Sequence, residues 1–512
     1  MQNPERLQND LDLVRQILRS KIFLSSDINQ QQLILNKILE TGQITREDLV
    51  TLINQESIKQ ESTEQESDKL RTFLNSLDYN TFITFVTTGN IRGQHLITLC
   101  DTSKKLNEYC NRSFQLRDVK GDLVGKTQSQ YLFRLLLDKM NIPIGIGKTP
   151  RQTYIERTIG GQVLGFGDDS YGQLGLRYTV RYNSDPFPIE NMTDIIQISA
   201  GGSHSLCLDN KGKVWAFGSN LYGQLGRYSD QNKTYIPTLI PDMINIIQID
   251  AGGFSSLCLD NQGRVWSFGH NAFGQLGLGD NIDRNTPTLV PNLNNITQVC
   301  AGGNHSLCLD KHGKVWTFGS NDGGQLGLYD RLDRNIPNLI EGLNNIVQIS
   351  NKGAHSLCLD RKGKVWSFGW GDRGQLGLGN HLDETSPALI RTLKNIIKVS
   401  VGSNHSLCLD KNGRVWGFGS NQYGESGFGD KTDKTKPGLI PTLYNIIQVS
   451  AGNENSICLD NQGRVWVFGN NSYGKLGISI QAPTNVPILN GVLNNISQVS
   501  AGAHFTLVIR KL

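Results

Sequence analysis

The sequence predicts a mainly β protein: a seven-bladed β-propeller over residues 160–512, preceded by a small all-α N-terminal region. Three observations carry that prediction. A segment reading Lys213-Val-Trp-Ala-Phe-Gly recurs with its tryptophan at Trp215, Trp266, Trp316, Trp366, Trp416 and Trp466, a spacing of 51 once and 50 thereafter. A Gly-Gln-Leu-Gly element follows at Gly172, Gly223, Gly274, Gly324 and Gly374, varied to Gly424-Glu-Ser-Gly and Gly474-Lys-Leu-Gly. The repeat region also opens on one half of a hairpin and closes on the other. Self-similarity at a period of about fifty residues signals stacked or ring-forming units.

Within one unit, Ser205-Leu-Cys-Leu and Val214-Trp-Ala-Phe are short strand-forming runs separated by Asp209-Asn-Lys-Gly212. Aspartate folds its carboxylate onto the turn backbone and glycine accepts a positive φ, so a tight hairpin is expected. Asp260, Asp310, Asp360, Asp410 and Asp460 begin the equivalent turns, and the seventh equivalent is Arg510, where no turn follows. A degenerate copy, Val163-Leu-Gly-Phe-Gly167, precedes the others, with Leu164 in the tryptophan position. Val163–Gly167 is therefore expected to pair with His504–Ile509, so that the last blade is shared by both ends and no sheet edge stays open.

This register resembles the regulator of chromosome condensation repeat family, whose members are seven-bladed propellers. The resemblance covers about residues 160–512 and rests on Gly-Gln-Leu-Gly, Ala-Gly-x-x-His-Ser and Gly-Lys/Arg-Val-x-x-x-Gly in register. The family more often has tryptophan just before the last glycine of the strand. Here Phe217 and Phe268 stand there, with tryptophan two residues earlier on the same strand face.

The recurring residues read as scaffold. Six tryptophans with Leu164 as the seventh keep apolar bulk and lose the indole, which predicts packing between neighbouring blades rather than a ligand-stacking ring. The plant ultraviolet-B photoreceptor of this fold places tryptophan beside the repeat histidine. This chain has Ser203, Asn304, Ala354 and Asn404 there, so light sensing is not expected. Cys207, Cys258, Cys308, Cys358, Cys408 and Cys458 lack the paired spacing of a zinc site and become Val508 in the seventh copy, which predicts small buried side chains. His204, His305, His355, His405 and His504 give way to Ser255 and Asn455, which hydrogen-bond but replace metal or acid–base chemistry poorly. They read as structural histidines. The double-glycine and Ala-Gly steps beside them are expected to let strands converge near the propeller axis. No catalytic residue, metal site or cofactor is expected.

The first 159 residues lack the repeat. Residues 1–53 read as helical from Leu7, Leu11, Val14, Ile17 and Leu18, residues 54–69 as a polar linker, and residues 70–158 as a small helical module. Thr87-Thr-Gly-Asn-Ile-Arg-Gly93, Asn111-Arg112 and Gly147-Lys-Thr-Pro-Arg151 resemble a module shared by proteins of amoeba-infecting giant viruses. An F-box is similar in size and helicity, although Leu77-Asp78 stands where that module has Leu-Pro.

The net charge of +4 argues against nucleic acid as a partner, and no apolar run reaches the ~18 residues of a membrane span. With no signal-peptide core either, an intracellular protein with reduced cysteines is expected. Two apparent phosphate loops fail, because Ile142 and Lys120 stand where the motif needs glycine. Three functions remain. The first is a non-enzymatic scaffold that binds a protein partner. The second, implied by the resemblance, is guanine-nucleotide exchange on a small GTPase. The family's exchange factor carries a protruding β-wedge, for which repeats of uniform length leave no room. The third is a ubiquitin-ligase adaptor, with residues 70–117 docking a ligase component. Departures from the repeat are the places to look for a partner site. Trp370, where most copies have serine or asparagine, and Arg373 on the same turn are the candidates.

Overall fold

The computed structural model describes residues 160–177, 181–229, 231–480 and 482–511, and the backbone of two strands, Ser113–Arg117 and Leu123–Thr127. The chain divides into two compact units, Met1–Met140 with Lys148–Thr158, and Asn141–Gly147 with Ile159–Leu512. In the first unit the two strands pair antiparallel, Ser113 opposite Thr127 and Arg117 opposite Leu123. This corrects the helical expectation for residues 113–117. Gly125-Lys126-Thr127 accordingly lies on a strand and not in a phosphate-binding loop. The helical segment expected at 1–53, the polar linker at 54–69 and the rest of the helical module at 70–158 lie outside the described residues.

The second unit is built from a four-strand element. In one copy Ile296–Ala301, His305–Asp310, Val315–Gly319 and Arg334–Leu339 pair antiparallel in that order. The central hairpin forms as the sequence dictates. Asp310 Oδ1 accepts from the backbone N–H of His312 at 2.8 Å and of Lys314 at 3.0 Å, while Gly313 takes a φ of 75°. The fourth strand is the outer edge. Proline recurs there, as at Pro287 and Pro337, and removes a donor from an edge that would otherwise template another strand. Among the described residues this element gives five four-stranded sheets. The other eight strands are continuous through the pairing of Gly161 with Ile195. Within them Gly161–Asp168 pairs antiparallel with Phe505–Lys511, Val163 opposite Ile509 and Gly167 opposite Phe505.

Neighbouring sheets pack face to face. One cluster joins Leu257, Leu259, Val265 and Val290 of one sheet to Val299, Cys308 and Phe318 of the next, with Trp316 against its margin. Polar staples run beside these clusters. Gln248 donates Nε2–H to Val299 O at 2.9 Å and accepts Val299 N–H on Oε1 at 3.0 Å. The N–H of Ala251 donates to Ser199 Oγ at 2.9 Å. The glycine connections approach so closely that a Cβ on Gly201 would stand 2.6 Å from Gly252 O. There the backbone N–H of Gly202 donates to Gly252 O and that of Gly253 to Gly302 O, both at 2.9 Å. The corresponding bonds join the last copy of the repeat to the first: Ala200 N–H to Ser500 Oγ at 2.9 Å and Ala503 N–H to Gly201 O at 3.1 Å.

The two aromatic series divide the labour differently from expectation. Phe166, Phe217, Phe268, Phe318, Phe368, Phe418 and Phe468 are wholly buried, whereas each tryptophan is half-buried at the cluster margin. The physical reason is the indole N–H, which needs an acceptor. It donates to the turn aspartate six residues earlier, Trp266 to Asp260 at 3.2 Å and Trp316 to Asp310 at 3.4 Å. In the seventh copy Leu164 and Arg510 replace both partners together. Phe318→Ala should therefore cost about 3–5 kcal/mol in urea unfolding, and Trp316→Ala should cost less. The reverse order would contradict this division.

Candidate partner-binding face

The connection between the first and second strands of each sheet and the loop between its third and fourth lie on one face, because Ser219 N–H donates to Ser203 O at 2.8 Å. The hairpin turns lie on the other. There Arg264, Arg414 and Arg464 are ion-paired with Asp260, Asp410 and Asp460 at 2.7, 2.8 and 2.7 Å.

Repeat residues fix the loop backbone of the first face. Asn271 accepts Leu276 N–H on Oδ1 at 2.9 Å and donates to Asp280 O at 2.9 Å, while Asp283 accepts Asn271 N–H at 2.7 Å. Gln275 Oε1 accepts Phe273 N–H at 3.0 Å. The residue before Gly-Gln-Leu-Gly is thus held by its backbone while its side chain faces outward, and composition can vary there without altering the loop.

The structure places Trp370 on Gly323 of the preceding unit, where a Cβ would collide with the indole. Gly323 occupies the position that carries Tyr222, Phe273, Tyr423 and Tyr473 elsewhere. Trp370 therefore supplies from the neighbouring unit the ring that Gly323 lacks, and it remains 39% exposed. Arg373 is 3.7 Å from Asp433 and 3.8 Å from Asp372.

A second group contains two residues that sequence reasoning does not single out. Phe254 and His270 stand where other copies have Ser203, Asn304 and Asn404, or Ser219, Ser320 and Ser420. Their rings join Tyr222 and Phe273: Tyr222 lies 4.5 Å from His270 and 5.4 Å from Phe254, and His270 lies 6.1 Å from Phe273. His270 Nδ1 is 2.8 Å from Gln275 Nε2, so the amide donates to it and Nδ1 carries no proton. Tyr222, Phe254 and Phe273 keep 38%, 40% and 37% of their surface in solvent. The signal was present in the sequence as two breaks of the repeat fifteen residues or so apart, but only the fold brings them into contact.

The repeat cysteines Cys207, Cys258, Cys308, Cys358, Cys408 and Cys458 are free and buried, and burial pushes each thiol far above its ordinary range. Cys300, also buried, points its thiol at Ile349 O, 3.3 Å away. The histidines form a ladder between sheets. His204, His305, His355 and His405 meet Ser256, Ser356, Ser406 and Ser456 of the next sheet through Nε2 at 2.8–2.9 Å. Ser256 donates its own proton to Gln224 O at 2.8 Å, so it accepts from His204, which fixes the Nε2–H tautomer. The Nδ1 atoms of these four and of His504 are buried without a partner. Burial lowers the pKa of those four histidines to about 3, and burial first also lowers that of His504.

Charged departures from the repeat are held internally. Lys475, in a glutamine position, is wholly buried and donates to Asn453 O at 2.7 Å and Ala503 O at 3.3 Å. Burial lowers its pKa to about 8 against the pull of Glu454 and Glu425. Glu425, the adjacent glutamine substitute, is pushed up by burial. On the first strand of its sheet Asp250 accepts from Ser199 Oγ and Ala301 N–H, both at 2.8 Å, and burial raises its pKa to about 6. Lys352 replaces a repeat glycine and donates to Ala200 O at 3.2 Å and to Ala501 O.

These features agree with comparisons to known proteins. Residues 153–408 match the family described as RCC1-like domain, and residues 412–459 and 462–509 match the regulator of chromosome condensation (RCC1) repeat. The chain is 36% identical over 113 residues to the regulator of chromosome condensation of Xenopus laevis, covering 22% of this chain and 27% of that protein. It is 40% identical over 122 residues to the human probable E3 ubiquitin-protein ligase HERC6, covering 23% of this chain and 12% of that protein. The matched stretches thus span less than a third of these relatives. Among solved structures, Prp20p from Saccharomyces cerevisiae superposes with a TM-score of 0.64 at 24% identity, over 72% of this chain and 96% of that one. Human WBSCR16 superposes at 0.63 with 22% identity, over 69% of this chain and all of that one. With the repeat register, the four-strand element and these matches in agreement, the chain belongs to the regulator of chromosome condensation repeat family.

Proposed function

We propose that this chain is a non-enzymatic interaction scaffold, a closed seven-bladed propeller that offers its loop face to a protein partner. Six inner strands that carry the staple glutamine, a seventh with Lys398 in its place, and bonds from the last back to the first support the ring. The carrying observation for function is the outward aromatic group Tyr222, Phe254, His270 and Phe273, whose two copy-specific members have no counterpart in the repeat. Aromatic anchors of this kind dominate protein interfaces. Immobilised full chain should retain a protein from infected or expressing cells, and Phe254→Asn with His270→Ser, which restore repeat residues, should lose it. Equal retention by both chains would remove this face from the function.

Guanine-nucleotide exchange is the second reading. It is favoured by sequence likeness to the regulator of chromosome condensation, and the solved structure of Prp20p concerns its binding to Gsp1p and histones. Release of labelled GDP from a panel of small GTPases separates the readings, because a scaffold leaves the rate unchanged. The ubiquitin-ligase reading finds its relatives in the HERC proteins, while the segment assigned to ligase docking lies almost wholly outside the described residues.

A further inference from the structure

We infer that the loop face over three consecutive repeats, residues 246–389, docks a basic amphipathic segment of a protein partner; this rests on the scaffold reading above. The first observation is a ridge of exposed aliphatics. Ile282, Leu332 and Leu382 occupy equivalent loop positions in adjacent units and are 65%, 66% and 64% exposed. The other units carry Arg181, Asn232, Thr432 and Ala482 there, so the ridge is not required by the repeat. A loop that folds equally well with threonine or asparagine gains no evident stability from an aliphatic in water. Exposed apolar side chains grouped on one part of a surface mark interaction sites.

The second observation is charge. Loops 270–284, 320–334 and 370–384 hold eight carboxylates and four arginines, a net charge of 4 − 8 = −4. The four corresponding loops, 168–182, 219–233, 420–434 and 470–484, hold six acids and seven bases, a net charge of 7 − 6 = +1. The acidic excess therefore coincides with the aliphatic ridge. All four arginines are already ion-paired on this face: Arg284 with Asp280, Arg334 with Asp330, Arg331 with Asp383, and Arg373 with Asp433. An incoming chain meets the excess of carboxylates, among them the exposed Asp322 and Asp372, the latter ion-paired with Arg373 at 3.8 Å, which Asp433 shares.

Charge complementarity selects the occupant. Nucleic acid and anionic membrane carry the sign of this surface and are repelled from it. A protein segment with aliphatics on one side and lysine or arginine beside them satisfies both the ridge and the carboxylates, and it leaves Trp370 free to stack on a cationic side chain.

The test uses the full chain and a fluorescent helical peptide about eighteen residues long made of leucine and lysine. A leucine–glutamate peptide of the same pattern and a serine–lysine peptide serve as controls. Saturable one-to-one binding of the leucine–lysine peptide is expected, weakening with salt and falling about tenfold or more in Ile282→Thr/Leu332→Thr/Leu382→Thr. Binding unchanged in that variant, or shared equally by either control peptide, overturns the inference. The triple variant must keep the wild-type melting curve; if it does not, Asp322→Asn with Asp372→Asn replaces it, with the same expectation. Loss of cellular partner capture in the Phe254/His270 variant with no peptide binding anywhere would reject the basic-segment chemistry while leaving the scaffold intact. Peptide binding with no partner ever captured would reject the scaffold reading instead.

Discussion

A chain that stops at Ala503 should fail to unfold cooperatively, and residues 504–512 supplied as a separate peptide should restore a single transition. The last strand, Phe505–Lys511, pairs on one side with Gly161–Asp168 and on the other with Ile496–Ala501. Phe505, Leu507, Val508 and Ile509 are all 3% exposed or less. Each is worth about 1.5–3 kcal/mol on burial, so their combined loss is comparable with the whole stability of about 5–15 kcal/mol of an ordinary domain. Truncation also leaves two unpaired strand edges, Gly161–Asp168 and Ile496–Ala501, which template association. Calorimetry and gel filtration of the truncated chain, with and without peptide, read both effects. An unchanged melting temperature in the truncated chain would show that the terminal strand is dispensable.

The second large effect is acid lability. His204, His305, His355 and His405 have their pKa lowered to about 3, while an unfolded histidine titrates near 6.5. Between those values the unfolded chain binds more protons, so the stability present above pH 6.5 is lost as pH falls toward 3. From pH 7 to 5.5 each histidine accounts for about 1 kcal/mol of loss. Two buried carboxyls oppose it. Asp169 and Asp250 are raised to about 7 and about 6, so the folded state binds the extra proton and gains about 1 kcal/mol each over the same interval. Four terms against two leave a net loss of about 2 kcal/mol, visible as a lower urea midpoint at pH 5.5. His355→Asn, the residue the chain itself uses at Asn455, should remove about 1 kcal/mol of that pH dependence. A variant with the wild-type pH dependence would show that the ladder does not control it.

The strands and their turns are legible in the sequence because identical local signals recur in register: aspartate and glycine at each hairpin, alternating apolar residues on either side. Arg510 even marks the strand with no turn after it. Placement of the tryptophans is only half legible. Periodicity shows that position 316 faces a neighbouring sheet, but the half-burial follows from the indole's bond to Asp310, a partner six residues away that a packing argument does not include. The aromatic group is legible as departures from the repeat and not as a cluster, since Tyr222 and Phe254 meet only once two sheets are side by side. Trp370 shows the same limit. In sequence it is an outlier, and in space it fills the place left by Gly323 in the unit before it.

Lys352 has one more effect. Its ammonium is anchored on carbonyls of two strands far from it in sequence, Ala200 and Ala501, at the glycine-lined end of the inner strands. The lysine is a mark that the other six copies lack, because glycine stands at its position in each of them. It also gives repeats that would otherwise be interchangeable a fixed starting point, so that shifting the chain by one unit would place the lysine opposite the wrong pair of carbonyls.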